Sequence, residues 1–507
     1  MDTWRLYAAD YEVSEKEDSF IVDWEPSDMK NNPMSWSIKK RFCCTIILTL
    51  VSFIVTMASS VGSGTYDAVC KEFGVSKEVS EMTTSLFLVG FAMGAPVLAP
   101  MCEEFGRLPV YIGSMLLFSC FQIGAATSQN MASLAICRFF AGFFGTSPLS
   151  NAGGSIADMW ESDKRTLTFS FFGVSGFLGP SLGPVIGSYL TKSYLGWRWT
   201  NYLAAIIGYG ITVIVFFFMP ETFSPIIMDL KAAAIRKKTG CKDYISLHEI
   251  QREGRSPFSL RIFFRPFVFA VTEPIVTCFT LCISISYIVL FTDFEAFTYI
   301  FGTWDFDFAK STLPFIAVSL GIVATLLIVT PISYHFFMKE GKKHGSIDKI
   351  SPEIRLVPLM VCAWFIPISL FWVAWTTYES ISPWPAIVST FFFGLGMMQV
   401  FLTTYSYVID SYGVNSASAL STLTLVRYNI SAGMVHVADP MYRNLGVHWA
   451  ASLLGFISLI ICVMPFIFYF YGPKIRSYSK FTTASKVKPQ EEKEEEEEEE
   501  EAGITVP

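Results

Sequence analysis

The sequence predicts an all-α polytopic membrane protein, with twelve transmembrane helices in two six-helix bundles. Three observations carry that expectation. Twelve apolar runs are each long enough to cross a bilayer. A basic polar stretch divides them six and six. Lys and Arg fall mostly on alternate loops.

Crossing about 30 Å of hydrocarbon takes about 20 mostly apolar residues. The runs lie at 42–64, 79–99, 109–128, 131–155, 166–190, 197–219, 268–294, 310–337, 356–376, 384–409, 415–438 and 448–472. Lipid offers backbone groups no partner, so helices are expected. Short alternating segments of the kind that build a barrel are absent. With 16% charged residues, 52% hydrophobic residues and a mean hydropathy of +0.45, the chain is too apolar for an aqueous fold.

The division at the middle is the second observation. Residues 220–267 carry Lys231, Arg236, Lys237, Lys238, Lys242, Arg252, Arg255, Arg261 and Arg265 and are expected to be a linker loop. The bundles are then 42–219 and 268–472. Residues 1–41 and the acidic tail 473–507, with Glu494 to Glu501 as an unbroken run, are expected to be largely disordered. The tail supplies much of the net charge of −7, and nothing in the body points to a nucleic-acid partner.

Charge placement sets the third observation. With the N-terminus inside, the inner loops hold Lys39, Lys40, Arg41, Arg107, Lys164, Arg165, the linker bases, Lys339, Lys342, Lys343, Lys349, Arg355, Lys474, Arg476 and Lys480. The outer loops hold only Lys71, Lys77, Lys192, Arg198, Lys310 and Arg443. Basic loops stay in the cytosol, so both termini are expected there. No signal peptide precedes the first run. Most cysteines sit in apolar runs, and Cys70 alone is placed outside, so no disulfide framework is expected. Asn429-Ile430-Ser431, the lone Asn-x-Ser/Thr triplet, lies inside a span, out of reach of glycosylation.

In the fifth span, Gly179-Pro180-Ser181-Leu182-Gly183-Pro184-Val185-Ile186-Gly187 sets three glycines at four-residue spacing on one face. Such a stripe admits a neighbouring helix closely, and the prolines remove two helix donors. The pattern resembles the antiporter motif of the major facilitator superfamily. Ala99-Pro100-Met101-Cys102-Glu103-Glu104-Phe105-Gly106-Arg107 is similar to that superfamily's loop between spans two and three. Here Glu103 stands at the acid position, Gly106-Arg107 close the motif, and Ala99 and Leu108 depart from it. The resemblance implies a cytoplasmic gate held by salt bridges. Leu134 to Gly145 resembles the fourth-span motif, with Arg138 and Gly142 in place. It implies a role for Arg138 in proton coupling or in ordering a cavity, against a structural pairing with a carboxylate.

Further pieces resemble one branch, the fungal twelve-span drug:proton antiporters. They are Val22-Asp23-Trp24-Glu25-Pro26, Asn32-Pro33, Trp36-Ser37, Gly196-Trp197-Arg198-Trp199, Pro220-Glu221-Thr222, Phe294-Glu295-Ala296-Phe297, Pro352-Glu353-Ile354-Arg355-Leu356, Ser416-Ala417-Ser418-Ala419 and Tyr471-Gly472-Pro473-Lys474-Ile475-Arg476. The resemblance covers residues 21–480 and implies a secondary active transporter of the plasma membrane, or of a vacuolar or other internal membrane. It would work as a monomer, exporting small organic molecules by proton antiport with alternating access around a central cavity.

Proton coupling needs an acid or histidine whose protonation changes with access. Glu295 and Glu273, which bracket the seventh span, come first, then Asp158 and His436. His436 is either an interface histidine or a pH sensor. Arg138, Arg427, Glu295 and Tyr287 are the candidate substrate contacts. The arginines suit an organic anion and the glutamates a cation such as a polyamine, which leaves a multidrug exporter and a dedicated exporter of an organic acid, secondary metabolite or polyamine both open. A membrane sensor without flux is the remaining alternative. The chain reads as no enzyme, with no cofactor and no metal. ATP is disfavoured because the Walker pattern is missing: the only Gly-Lys, Gly341-Lys342, continues with Lys343.

Overall fold

The computed structural model describes residues 21–479 apart from 25–27, 29, 242, 253–259, 344–350 and 414–415. The acidic run at the C-terminus lies outside the described residues. Long helices dominate, because in an apolar sequence each backbone donor must find its acceptor within its own segment. The first six are α1 (Ile38–Ser60), α2 (Lys77–Phe105), α3 (Arg107–Ala126), α4 (Met131–Met159), α5 (Ser162–Lys192) and α6 (Arg198–Phe218). The others are α7 (Pro274–Gly302), α8 (Phe308–Lys343), α9 (Pro352–Thr376), α10 (Trp384–Tyr412), α11 (416–445) and α12 (447–478). The last two run on in one helical register except at Gly446, whose φ of 74° and ψ of 165° lie outside the helical region. Only glycine adopts that geometry without strain, so the break makes two spans of one long apolar stretch. The chain is a multi-pass membrane protein whose membrane-spanning part is built from twelve helices.

Local chemistry fixes the ends. Ser37 caps α1 by accepting from the Lys40 N–H, and Asn130 caps α4 by accepting from the Ser133 N–H at 2.8 Å. The seventh span starts later than its apolar run. Residues Leu260–Thr272 form a separate helix, Glu273 is extended, and Pro274 takes the first helical turn. Glu295 therefore does not bracket α7, as the run 268–294 suggested, but lies inside it at 5% exposure. Large apolar side chains such as Phe217, Phe218, Leu327 and Ile328 stay exposed, as expected of surfaces facing lipid.

Contacts divide the chain into two compact units, Met1–Phe264 and Arg265–Pro507. The packing partners repeat from one unit to the other. In the first, α2 lies along α4 and α1 along α5; in the second, α8 lies along α10 and α7 along the long segment that α11 and α12 form together. Close helix approach uses glycine in both. A Cβ on Gly142 would run into the Phe87 backbone of α2, and one on Gly394 into the Val318 backbone of α8.

The segment expected to be largely disordered before α1 is part of the first unit from Ile21 onward. Ile21 and Val22 pair in parallel with Ile245 and Ser246 of the linker. Val22 packs with Ala232 and Ile235 of the linker helix Ser224–Thr239. Lys231 of that helix is fully buried, forms an ion pair with Asp28, and donates to the Asp23 carbonyl at 2.8 Å. In its described residues, the stretch 220–267 thus holds folded elements. Its Arg236 makes a two-pronged contact with Glu249 at 2.7 and 2.8 Å, and that hydrogen bonding holds the Glu249 carboxyl below the usual glutamate range.

Candidate functional site

Gly106 is the whole turn between α2 and α3, since α2 runs to Phe105 and α3 starts at Arg107. Its φ of 92° favours glycine, and a Cβ there would sit 2.7 Å from a Glu221 carboxylate oxygen. That carboxylate accepts from the backbone N–H groups of Arg107 at 3.1 Å and Leu108 at 3.0 Å, and from Thr222 and Phe223. An anion at the exposed N–H groups of a helix start is favourable. The Arg107 guanidinium bonds Asp158 at 2.7 Å and the Asn151 carbonyl at 3.3 Å, over the Phe223 ring. The structure therefore joins Gly106, Arg107 and Asp158 and adds Glu221. Glu103, the acid at the motif position, is exposed. Asp158→Ala strands an arginine side chain that is 9% exposed, at an expected cost of about 3 kcal/mol. Glu103→Ala is expected to stay within about 0.5 kcal/mol. Chemical unfolding of the purified variants separates the two.

The second unit carries a matching arrangement. Arg355 pairs with Asp410 at the end of α10 and lies over Phe337. Glu353 accepts from Arg476 Nε at 2.8 Å and Nη2 at 3.1 Å, and from the Tyr407 hydroxyl at 3.4 Å. Two short pieces noted only for their resemblance, Pro352 to Leu356 and Tyr471 to Arg476, thus meet through charge. Each unit closes one end with an arginine at the start of its third helix and an aspartate at the end of its fourth.

The glycine stripe of α5 packs on α1. A Cβ at Gly179 would come within 2.6 Å of Met57 N, one at Gly183 within 2.9 Å of Met57 O, and one at Gly187 within 3.2 Å of the Val61 carbonyl carbon. The helix continues through Pro180 and Pro184 without interruption. The Thr56 hydroxyl lies 3.0 Å from the Ser175 carbonyl across the seam. Backbone meets backbone along this line, a packing that only small residues allow.

Two arginines are buried deep in the spans without an ion pair among the described residues. Arg138 of α4 donates through Nε to the Thr83 carbonyl at 2.9 Å and reaches Asn201 at 3.5 Å, over the Phe87 ring at 4.5 Å. Its Nη2 has no hydrogen-bond partner there. The carboxylate pairing open at the level of sequence is not what holds it. Arg427 of α11 is enclosed by Tyr287 at 4.7 Å, Tyr428 at 4.7 Å, Tyr405 at 5.4 Å and Phe401 at 5.7 Å. Its Nε and Nη1 are likewise without a partner among the described residues. The structure brings Tyr287 and Arg427 together, whereas Glu295 forms no pair with Arg427. Ring faces stabilise the cation, but they accept no strong hydrogen bond, so the guanidinium keeps donors for an incoming acceptor.

The remaining acids differ in setting. Glu273 is fully buried and accepts from the Tyr412 hydroxyl at 2.8 Å and from Ser479. His436 is half-buried on α11. Sequence reasoning passed over Asp293, two residues before Glu295 and 5% exposed. An acid within the apolar run of α7 was the signal that could have found it. It also gave no role to Glu221, Glu353 or Arg476.

Comparison with known proteins identifies the family and the fold. Residues 48–435 match the model of the Major Facilitator Superfamily. An uncharacterized transporter of Schizosaccharomyces pombe is 42% identical over 91% of this chain and 85% of its own length. The citrinin biosynthesis cluster MFS transporter mrr1 of Monascus ruber is 37% identical over 92% of this chain and 93% of its own. Among solved structures, the proton:xylose symporter XylE superposes with a TM-score of 0.61 at 14% identity, covering 86% of this chain and 97% of that one, which bears on the fold alone. The chain belongs to the major facilitator superfamily, a family of membrane transporters.

Proposed function

We propose that this transporter exports a small organic anion from the cytosol across the plasma membrane, driven by protons moving inward, with both termini in the cytosol. The observation that carries the substrate class is Arg427: a buried cation inside four aromatic rings, with two nitrogens unpartnered among the described residues. A carboxylate or acidic phenol on a flat ring system would receive charge-assisted hydrogen bonds from the guanidinium and stack among the rings. This favours the organic-acid or acidic-metabolite alternative over broad drug export. Similarity to a transporter of a biosynthesis cluster supports a secondary metabolite. Proton antiport rests on the buried acids of α7 and on the resemblance of the α5 stripe to an antiporter motif. The paired charges at the ends of α3, α4, α9 and α10 would release and reform as access alternates.

Efflux from cells expressing the protein tests the proposal with one aromatic acid, one neutral drug and one organic cation, each with and without an uncoupler. Uncoupler-sensitive efflux of the acid alone is expected. Efflux of the cation and the neutral compound at equal rates would return the reading to a multidrug exporter, and uncoupler-insensitive efflux would remove proton antiport.

A further inference from the structure

Within the second unit, a small cavity lies between α7, α9, α10 and α11. Its polar lining is Asp293, Ser369, Ser389, Thr390 and Tyr442, and the other walls are phenyl and aliphatic groups. Asp293 forms no hydrogen bond or ion pair among the described residues, although 95% of it is removed from solvent. An isolated carboxylate in such a place is strongly disfavoured.

The hydroxyls around it offer no relief. Ser369 Oγ donates to the Ile366 carbonyl, Ser389 Oγ to Ala386 and Thr390 Oγ1 to Ile387, each at 2.7 Å. A hydroxyl has a single hydrogen, so what these three turn toward the cavity is lone pairs. Tyr442 is the one other titratable group in the lining. Charged groups nearby on α11 are engaged with each other: Asp439 accepts from the Tyr299 hydroxyl at 2.7 Å and pairs with Arg443 at 2.9 Å. α9 and α10 add hydroxyls to the lining and no charge.

A pocket of one negative charge and several oxygen acceptors is complementary to a small cation. A single carboxylate balances a single positive charge. We infer that the Asp293 cavity is a monovalent cation site of the second unit, holding a proton on the carboxyl group or a dehydrated sodium ion against the same oxygens. A proton would turn one carboxyl oxygen into a donor toward the hydroxyls. Sodium, a hard cation, would take carboxylate and hydroxyl oxygens as ligands. This deepens the proton-antiport reading by placing its ion, but the binding itself does not depend on that reading.

The test uses the purified full-length protein in detergent. Melting temperature is measured in sodium chloride against choline chloride at fixed pH, and across acid and alkaline buffers in choline, for wild type, Asp293→Asn and Glu295→Gln. A ligand that binds only the folded state raises the melting temperature with its concentration. Wild type and Glu295→Gln are expected to gain several degrees with acid or with sodium, and Asp293→Asn is expected to lose that gain. A response to sodium identifies the metal ion, and a response to acid alone identifies the proton. Ser389→Ala, which removes one oxygen and keeps the carboxylate, is expected to weaken the response partially. Equal responses in wild type and Asp293→Asn, or none in wild type, would overturn the site. Efflux with and without the uncoupler is followed in parallel. Insensitivity there, with the Asp293-dependent shift intact, would reject antiport and leave the cation site standing.

Discussion

Arg427→Ala is expected to abolish efflux of the aromatic acid while the protein still reaches the membrane. Charge-assisted hydrogen bonds contribute about 1.5–3 kcal/mol each, so losing one or two lowers affinity by roughly 10- to 10,000-fold. Arg427→Lys is also expected to fail, with a loss of about 10-fold or more, because a compact ammonium cannot present two parallel donors or lie flat among four rings. The relevant measurement is the concentration dependence of efflux in cells with matched surface abundance. Tyr287→Phe gives a smaller effect, since the ring face that touches the guanidinium at 4.7 Å survives. If Arg427→Ala transports the acid with unchanged affinity, the aromatic enclosure is structural and the anion binds elsewhere.

Gly183→Leu is expected to stop transport and to destabilise the first unit. Even a methyl at this position meets the Ser60 hydroxyl and lies 2.9 Å from the Met57 carbonyl. Forcing extra carbons into packed contacts costs about 1–3 kcal/mol, and here the contacts include backbone that cannot rotate away. Gly176→Ala is the matched control on the same helix, because a Cβ there meets nothing within 4 Å. Efflux and melting temperature for the pair distinguish a seam that must stay closed from a general intolerance of larger residues in α5. Ser60→Ala is expected to restore Gly183→Ala only in part, since the Met57 carbonyl remains.

Much of the fold was legible because bilayer thickness dictates helix length and the chain has few charges to confuse the count. The glycine stripe was equally plain: its four-residue period has a single geometric meaning, and the structure places all three glycines on α1. What stayed hidden depended on distances across the chain. Nothing local marks Glu221 as the acceptor for the start of α3, 114 positions away from Arg107. Glu295 drew attention because it sits in a resembled string of residues, and Asp293, which does not, was passed over. The start of α7 was misplaced by an apolar run that Pro274 divides.

The contact between Asp28 and Lys231 spans 203 positions of sequence, and that separation has a consequence for biogenesis. At about 5–20 residues per second, the N-terminal strand leaves the ribosome well before the linker it pairs with has been made. Six spans must be inserted in between. During that interval Val22 has no Ala232 or Ile235 to cover it, and Asp28 has no counter-ion. Assembly of the N-terminal strap is thus a late event that reports completion of the first half of the chain. A nascent chain halted before residue 231 would display the strap to proteases and quality-control factors, and one long enough for the linker helix to have left the ribosome would not. Grafts between related transporters should accordingly carry the N-terminal segment and the linker as a matched set.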